Sequence, residues 1–403
     1  MPADSSRKTI LRRIRASTAS LALLALAACA TEGPPGVATS TSARPPLPPI
    51  ERTPDELDEI LRAPSSPGAT PVAVNPNVLP GWSSDRQGQV IPALLNSCGV
   101  LTFQRMIAIG VEATPDDWFD VCIAAAGVPP DDDQAARRFF EQWFTPVKVA
   151  TENGDTGRFT GYYEAQLRGS WKKTARYDVP IYGYPGRPNG GRLPARAQIA
   201  RGALGKHAKP LLWVDSAFDA YVLEVQGSGR VHMEDGKVVG IGYAGQNGHR
   251  FVDLTQVLQR RGALPDRSFA GLKRYLDRLP AARRQAVMNL NPSYVFFRIR
   301  DGKDPVGAQG VPLTAGRSLA VDPRHVPLGA LIWLHVPRGS GGDDVRRLVV
   351  AQDTGGAISG PVRGDVFWGT GDAARGRALA TNAPGQYYML VPKTHTILTQ
   401  LAK

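Results

Sequence analysis

The 403-residue sequence predicts a mainly β fold with some α-helix, built from barrels rather than from a doubly wound parallel sheet. Three observations carry this expectation. After residue 145, short β-rich runs are separated by Gly, Pro and Asn. Helical periodicity is confined to two stretches, 90–145 and 252–287. The roughly 320 residues beyond position 80 are more than one core normally serves, so two domains are expected.

The amino-terminal residues come first. Arg7, Lys8, Arg12, Arg13 and Arg15 form a basic region, and residues 20–28 are small and apolar. This is the layout of a secretory signal, too short for a membrane span of about 20 apolar residues. The run ends Leu26-Ala27-Ala28-Cys29, which resembles the bacterial lipobox. That resemblance implies a signal peptide over 1–28 and a lipid-modified Cys29. Ala30 stands where a signal for inner-membrane retention usually places Asp, which favours an outer-membrane anchor facing the periplasm. Residues 29–80 read as a Pro-rich, disordered tether with a short helical patch at 54–62.

Charge narrows the partners. The formal net charge is +12, and about +8 remains once the signal is removed. A basic surface favours polyanions. Export and the absence of a basic helix or an RNP-type motif exclude nucleic acid, whereas peptidoglycan carries lactyl and peptide carboxylates. No CxxC or HExxH occurs and the six histidines are scattered, so neither a metal site nor a cofactor is expected. Cys98 and Cys122 allow one disulfide, or two small buried thiols.

Residues 91–101 and 103–109 carry apolar residues at helical spacing. Thr114-Pro115-Asp116-Asp117 and Asp131-Asp132-Asp133 read as caps of two further helices, not as metal ligands. The expected β runs are 147–149, 159–163, 181–184, 221–226, 238–243, 294–298, 331–335, 347–352 and 386–392.

The chemistry-bearing pattern lies in the last third. No GxSxG, P-loop or GxGxxG in strand-helix context is present. Asp322, Asp353 and Asp365 each sit in a Gly- or Pro-bearing turn beside a short strand. An Asp just past a strand end can project into a cleft and protonate a leaving oxygen. Phe367, Trp368, Tyr387 and Tyr388 are candidate faces for sugar rings. Asx-turn formation is the competing reading; it is preferred for Asp322, and pattern alone does not decide it for Asp353 and Asp365.

The segment resembles the 3D domain, named for three aspartates, of MltA-type membrane-bound lytic transglycosylases. Phe159-Thr160-Gly161-Tyr162-Tyr163-Glu164, Gln226-Gly227-Ser228-Gly229-Arg230, the stretch from Gly242 through Gln246-Asn247-Gly248, and Asn291-Pro292-Ser293-Tyr294 are similar to further motifs of that family, in order. The resemblance implies a double-psi β-barrel over 81–164 and 292–403, the 3D domain occupying about 310–393. It implies a second, smaller β-barrel inserted over 165–291, and a groove between them. Ala165 stands where the family usually has Pro, with only a local loop effect expected.

The resemblance also implies a peptidoglycan lytic exotransglycosylase. It would cleave the MurNAc–GlcNAc β-1,4 bond without water and leave 1,6-anhydro-MurNAc ends. Asp365 falls in the place of the catalytic acid/base and Asp353 in a supporting role. Thr160, Tyr162, Glu164, Gln226, Asn247 and Trp368 are the candidates for substrate binding, with Glu164 the runner-up catalytic carboxylate. The expected partners are peptidoglycan glycan strands, the outer-membrane anchor and cell-wall synthases, with the chain acting as a monomer. The alternatives are a polysaccharide hydrolase on the same barrel and a non-catalytic wall-binding lipoprotein.

Overall fold

The computed structural model describes residues 72–101, 106–108, 111–150, 154–186, 191–300, 304–337, 344–394 and 397. All of them fall in one compact unit, Ile50–Lys403. The expected signal peptide, Cys29 and most of the tether lie outside the described residues. The tether boundary at residue 80 is corrected. Strand β1 (Val72–Ala73) already pairs with the strand at 144–148, and Leu79 is buried.

Helix α1 (Ile91–Leu101) buries Ile91, Leu94, Cys98 and Leu101, which follow at intervals of three and four. Residues 106–108, expected to be helical, instead form β2 (Met106–Ala108), paired with β3 (Val111–Ala113). Helix α2 (Pro115–Ala126) opens with a capping box in which the Thr114 N–H donates to Asp117, and Pro115 supplies a preset first turn. Helix α3 (Asp133–Trp143) is capped by Asp132, which accepts from the Ala135 N–H at 2.8 Å. A Cys98–Cys122 disulfide joins α1 to α2 across a sequence separation of 24. Replacing both cysteines by Ser is expected to cost about 3 kcal/mol, the loop-closure entropy of a ring that size, read as a lower denaturation midpoint.

Strand β4 (Phe144–Lys148) leads into the long β5 (Gly157–Ser170). Next come β6 (Val179–Tyr182), α4 (Arg196–Ile199), β7 (Pro210–Val214), α5 (Ala217–Gln226), β8 (Ser228–Met233) and β9 (Val238–Gln246). Helices α6 (Leu254–Arg260), α7 (Phe269–Asp277) and α8 (Ala281–Met288) precede β10 (Val295–Arg300). The chain then runs through β11 (Ser318–Val321), β12 (Leu331–Val336), β13 (Val345–Thr354), β14 (Arg363–Thr370), α9 (Asp372–Ala380) and β15 (Asn382–Pro392).

Two barrels share β5. The first closes in the order β5-β14-β11-β13-β12-β15 and back to β5. Its parallel pairs, β14 with β5 and β11 with β13, sit among antiparallel ones and fit a double-psi barrel. The second runs β10-β9-β8-β5-β7-β6 and closes through a bridge between Gly183 and Phe297. Arg158 to Glu164 of β5 pair with β14 in the first barrel, and Ala165 onward with β8 in the second. Because β10 completes the second barrel, that barrel extends beyond residue 291, where the sequence reading ended it.

One expected strand is a helix. Residues 221–226 form the second half of α5. Ser216 caps its amino end, Phe218, Tyr221 and Val222 bury one side, and Gly227 ends it at φ 78°. The β-branched Val222 and Val225 gave the segment its strand-like texture, but tertiary burial at helical spacing prevails. Gly161 makes a different point. A Cβ there would lie 2.6 Å from the Trp368 ring nitrogen and 2.8 Å from the Ala378 Cα, so only glycine lets α9 and Trp368 lie against β5.

Candidate active site

Strand pairing lines up one row of residues across five strands of the first barrel. Asp353 on β13 and Asp365 on β14 both face Ala320 of the intervening β11. Asp365 is in turn opposite Thr160 of β5, and Thr160 opposite Asn382 of β15. Register partners point to the same face, so the two aspartates flank a small alanine, with backbones about 9–10 Å apart at two strand spacings. A bulge makes this possible. The β11–β13 register shifts between Leu319 and Ala320, so Gln352 has no partner and Asp353, not Gln352, faces Ala320. Gln352 turns inward instead, donating to the Ala93 carbonyl and the Ser97 hydroxyl, both at 2.8 Å. The extra residue re-aims Asp353 onto the outer face.

The two carboxyl groups differ in their partners. Asp353 accepts from the Tyr162 hydroxyl at 2.7 Å, from the Ala308 N–H at 2.9 Å and from the Thr354 N–H at 2.9 Å. The Asp365 Oδ1 accepts from the Thr160 hydroxyl at 2.8 Å, and no protein hydrogen bond to Oδ2 occurs among the described residues. Thr160 in turn accepts from the Arg363 guanidinium at 2.9 Å, which turns its hydroxyl hydrogen toward Asp365. Tyr162, Ala320, Leu313, Ile358 and Phe367 form an apolar cluster on this face, apart from the main core. Asp365 lies against it, only partly open to solvent. Burial pushes its carboxyl up to about 6. Arg363 and the Thr160 hydrogen bond pull it down, and Asp353 adds to the rise. Burial first, then Asp353, holds the Tyr162 hydroxyl well above its ordinary range, so it stays a donor.

Several expected groove residues are elsewhere. Glu164 is fully buried, with its carboxylate held by Arg230 at 2.6 Å, by Arg300 and by the Thr370 hydroxyl at 2.6 Å. It ties together the four strands β5, β8, β10 and β14 and has no oxygen left for a sugar. Asn247 is also fully buried. Its amide donates to the Pro194 and Pro292 carbonyls at 3.0 and 2.9 Å, and its oxygen accepts from the Tyr294 N–H at 3.0 Å. Gln226 accepts from the Tyr163 N–H at 2.9 Å and pins α5 to β5. Trp368 belongs to the barrel core, donates to the Thr381 hydroxyl at 3.0 Å and is covered by Arg347 and Arg377. Tyr387 is in the same core.

Asp322 makes the turn expected of it. It accepts from the Arg324 and Gly360 N–H groups and from the Arg324 guanidinium. Burial alone would raise its carboxyl, but these bonds hold it below its ordinary range. The sequence reading did not single out Arg363, although its place two residues before Asp365 on one strand puts both on the same face.

Residues 158–298 match the family described as the MltA specific insert domain, and residues 317–391 the 3D domain. The membrane-bound lytic murein transglycosylase A of Escherichia coli K12 is 34% identical over 247 residues, 59% of this chain and 67% of that protein. Among solved structures, the lytic transglycosylase LtgG of Burkholderia pseudomallei superimposes with a TM-score of 0.58 at 38% identity, covering 81% of this chain and 96% of that one. A crystal structure of E. coli MltA with bound chitohexaose superimposes with a TM-score of 0.64 at 27% identity, covering 82% and 97%.

Proposed function

The chain belongs to the MltA family of lytic murein transglycosylases, and on that premise we propose that Asp365 cleaves peptidoglycan glycan strands as sole acid and base, with Asp353 in support. The observation that carries the assignment is the contrast between the two carboxyls. Asp365 has an uncommitted oxygen and a carboxyl raised to about 6. Asp353 is occupied by Tyr162 and two backbone N–H groups. Ordinary glycosidases need a second free carboxylate as nucleophile or base, and Asp353 is committed to other donors.

The steps follow. Protonated Asp365 gives its proton to the oxygen between MurNAc and GlcNAc, and the C1–O bond breaks with its electron pair on the leaving oxygen. The MurNAc 6-hydroxyl attacks C1 from within the same sugar. Asp365, now a carboxylate, takes the hydroxyl proton and is ready for another cycle. The products are a GlcNAc hydroxyl and a 1,6-anhydro-MurNAc end, with no water consumed. Thr160 and Arg363 orient the carboxyl and keep its pKa from rising further. Tyr162 fixes Asp353, whose charge favours the proton on Asp365.

Cys29 as a lipid anchor, the Pro-rich stretch after it and attachment to the outer membrane complete the reading, supported by the lipobox-like sequence and by the membrane-bound relative. The expected action at chain ends, cell-wall synthases as partners and a monomeric state belong to the same proposal.

Single alanine replacements digesting purified sacculi test the assignment. Asp365→Ala is expected to be inactive and Asp353→Ala strongly impaired. Full activity in Asp365→Ala with a dead Asp353→Ala would reverse the two roles. Thr160→Val is expected to lower kcat about tenfold, less than the roughly 10²–10⁴-fold worth of general acid–base assistance, because Asp365 stays and loses only an orienting hydrogen bond. It should also move the alkaline limb of the pH profile upward, because the Thr160 hydrogen bond lowers the Asp365 pKa.

A further inference from the structure

A concave site lies on the far side of β5 from Asp365. The side chain of Tyr163 leaves β5 on the face opposite to Thr160 and Tyr162, because neighbouring residues of a strand alternate. There it lines a small cleft, partly open to solvent, between α5, α7 and the start of α9. Phe218, Val222 and Phe269 give the cavity an apolar wall, and Asp219, Asp372 and Arg375 contribute charges of both signs.

Among the described residues, no hydrogen bond or ion pair engages the side chain of Arg375, Asp219 or Asp372. Arg375 is half-buried, as is Asp219. A guanidinium left partly desolvated without a partner is costly unless something else supplies the anion. Tyr163 is buried and its hydroxyl is held above its ordinary range, first by that burial, so it is a proton donor at neutral pH.

We propose that this cavity binds the free amino-acid end of a peptidoglycan stem peptide. The α-carboxylate would lie on Arg375 and Tyr163, and the ammonium between Asp219, Asp372 and the Phe218 ring. Arginine suits a carboxylate through paired N–H donors, and an ammonium is attracted both by carboxylates and by an aromatic face. A simple anion would leave the two aspartates unmatched, and a neutral sugar would leave all three charges unmatched. The inference rests on peptidoglycan as the substrate. Because the cavity and Asp365 lie on opposite faces of β5, the bound stem belongs to a strand other than the one being cleaved. The site would hold the enzyme on the wall while the groove works on a neighbouring strand.

Calorimetric titration of the full chain with the glycan-free tripeptide L-alanyl-γ-D-glutamyl-meso-diaminopimelate tests this. The wild type should bind it, and Arg375→Ala should bind about tenfold more weakly or worse, the loss of one charge-assisted pair. Asp372→Asn, at an exposed position where folding is not at stake, should also weaken binding. Asp365→Asn should bind the tripeptide as the wild type does, and excess chitohexaose should not compete. Arg375→Ala should still cleave strands stripped of peptide at the wild-type rate, but show a raised KM on intact sacculi. Absence of binding to wild type, equal binding by Arg375→Ala, or displacement by chitohexaose would each overturn the proposal. Failure of the transglycosylase reading would appear separately, as no turnover of sacculi by the wild type.

Discussion

Asp365→Asn is expected to lower kcat about 10³-fold or more while making the protein more stable. General acid–base assistance is worth about 10²–10⁴-fold, and in the proposed mechanism one group supplies both halves of it. The stability gain has the opposite sign to most active-site losses. The folded-state pKa of Asp365 is about 6, above the ordinary carboxylate value of 3.8. Below the unfolded-state pKa both states are protonated and nothing is lost. As pH rises toward 6 the unfolded chain ionises first, stability falls, and above 6 a constant deficit remains. Asparagine removes that deficit. Each pKa unit corresponds to about 1.4 kcal/mol, and with partial solvent contact the gain at pH 7 should be on the order of 2 kcal/mol, a rise of a few degrees in Tm. The same pKa shapes turnover. In the proposed mechanism the protonated form acts, so kcat/KM should fall on the alkaline side with a midpoint near 6. Arg363→Ala should move that midpoint upward, because Arg363 lowers the Asp365 pKa. A midpoint unmoved by Arg363→Ala would remove Asp365 from the role.

Glu164→Ala is expected to have the largest effect on stability, in the other direction. Glu164 is 0% exposed, with Arg300 6% and Arg230 29% exposed at the side chain. Removing the carboxylate leaves both guanidinium groups facing a buried gap. Breaking a buried pair from one side costs about 3–5 kcal/mol. The Thr370 hydroxyl loses its acceptor as well. Glu164→Gln keeps the shape and restores part of the hydrogen bonding, so it should fall between the two. Urea unfolding measures this as a lower midpoint at unchanged slope. Per folded molecule, Glu164→Gln should still turn over glycan. Loss of kcat with unchanged stability would make Glu164 the catalytic carboxylate instead.

The contrast between these two acids explains what the sequence made legible. Period-two alternation places Thr160, Tyr162 and Glu164 on one face of β5, and that much can be read directly. It cannot be read that β5 passes from one barrel to the other between Glu164 and Ala165, so the face open at Thr160 is sealed at Glu164. The same alternation would have excluded Trp368, an odd number of residues from Asp365, and included Arg363. The glycines next to Asp353 and Asp365 marked the candidate site, although both aspartates lie within strands, β13 and β14, and not in the turns expected of them. The bulge at Gln352 that re-aims Asp353 has no local sequence signal, and the groups that hold the Gln352 side chain, Ala93 and Ser97 of α1, are remote in sequence. Asn247 shows the limit of motif reading. It lies in a matching motif, yet every polar atom of its side chain is used to hold loops together.

Cleavage by the substrate's own hydroxyl, with water excluded, is the central claim. Digesting sacculi in heavy-oxygen water and weighing the released fragments tests it most directly. The account predicts 1,6-anhydro-MurNAc ends, one water lighter than hydrolysis products and free of heavy oxygen. Reducing MurNAc ends carrying one heavy oxygen at C1 would contradict it and make the enzyme a hydrolase.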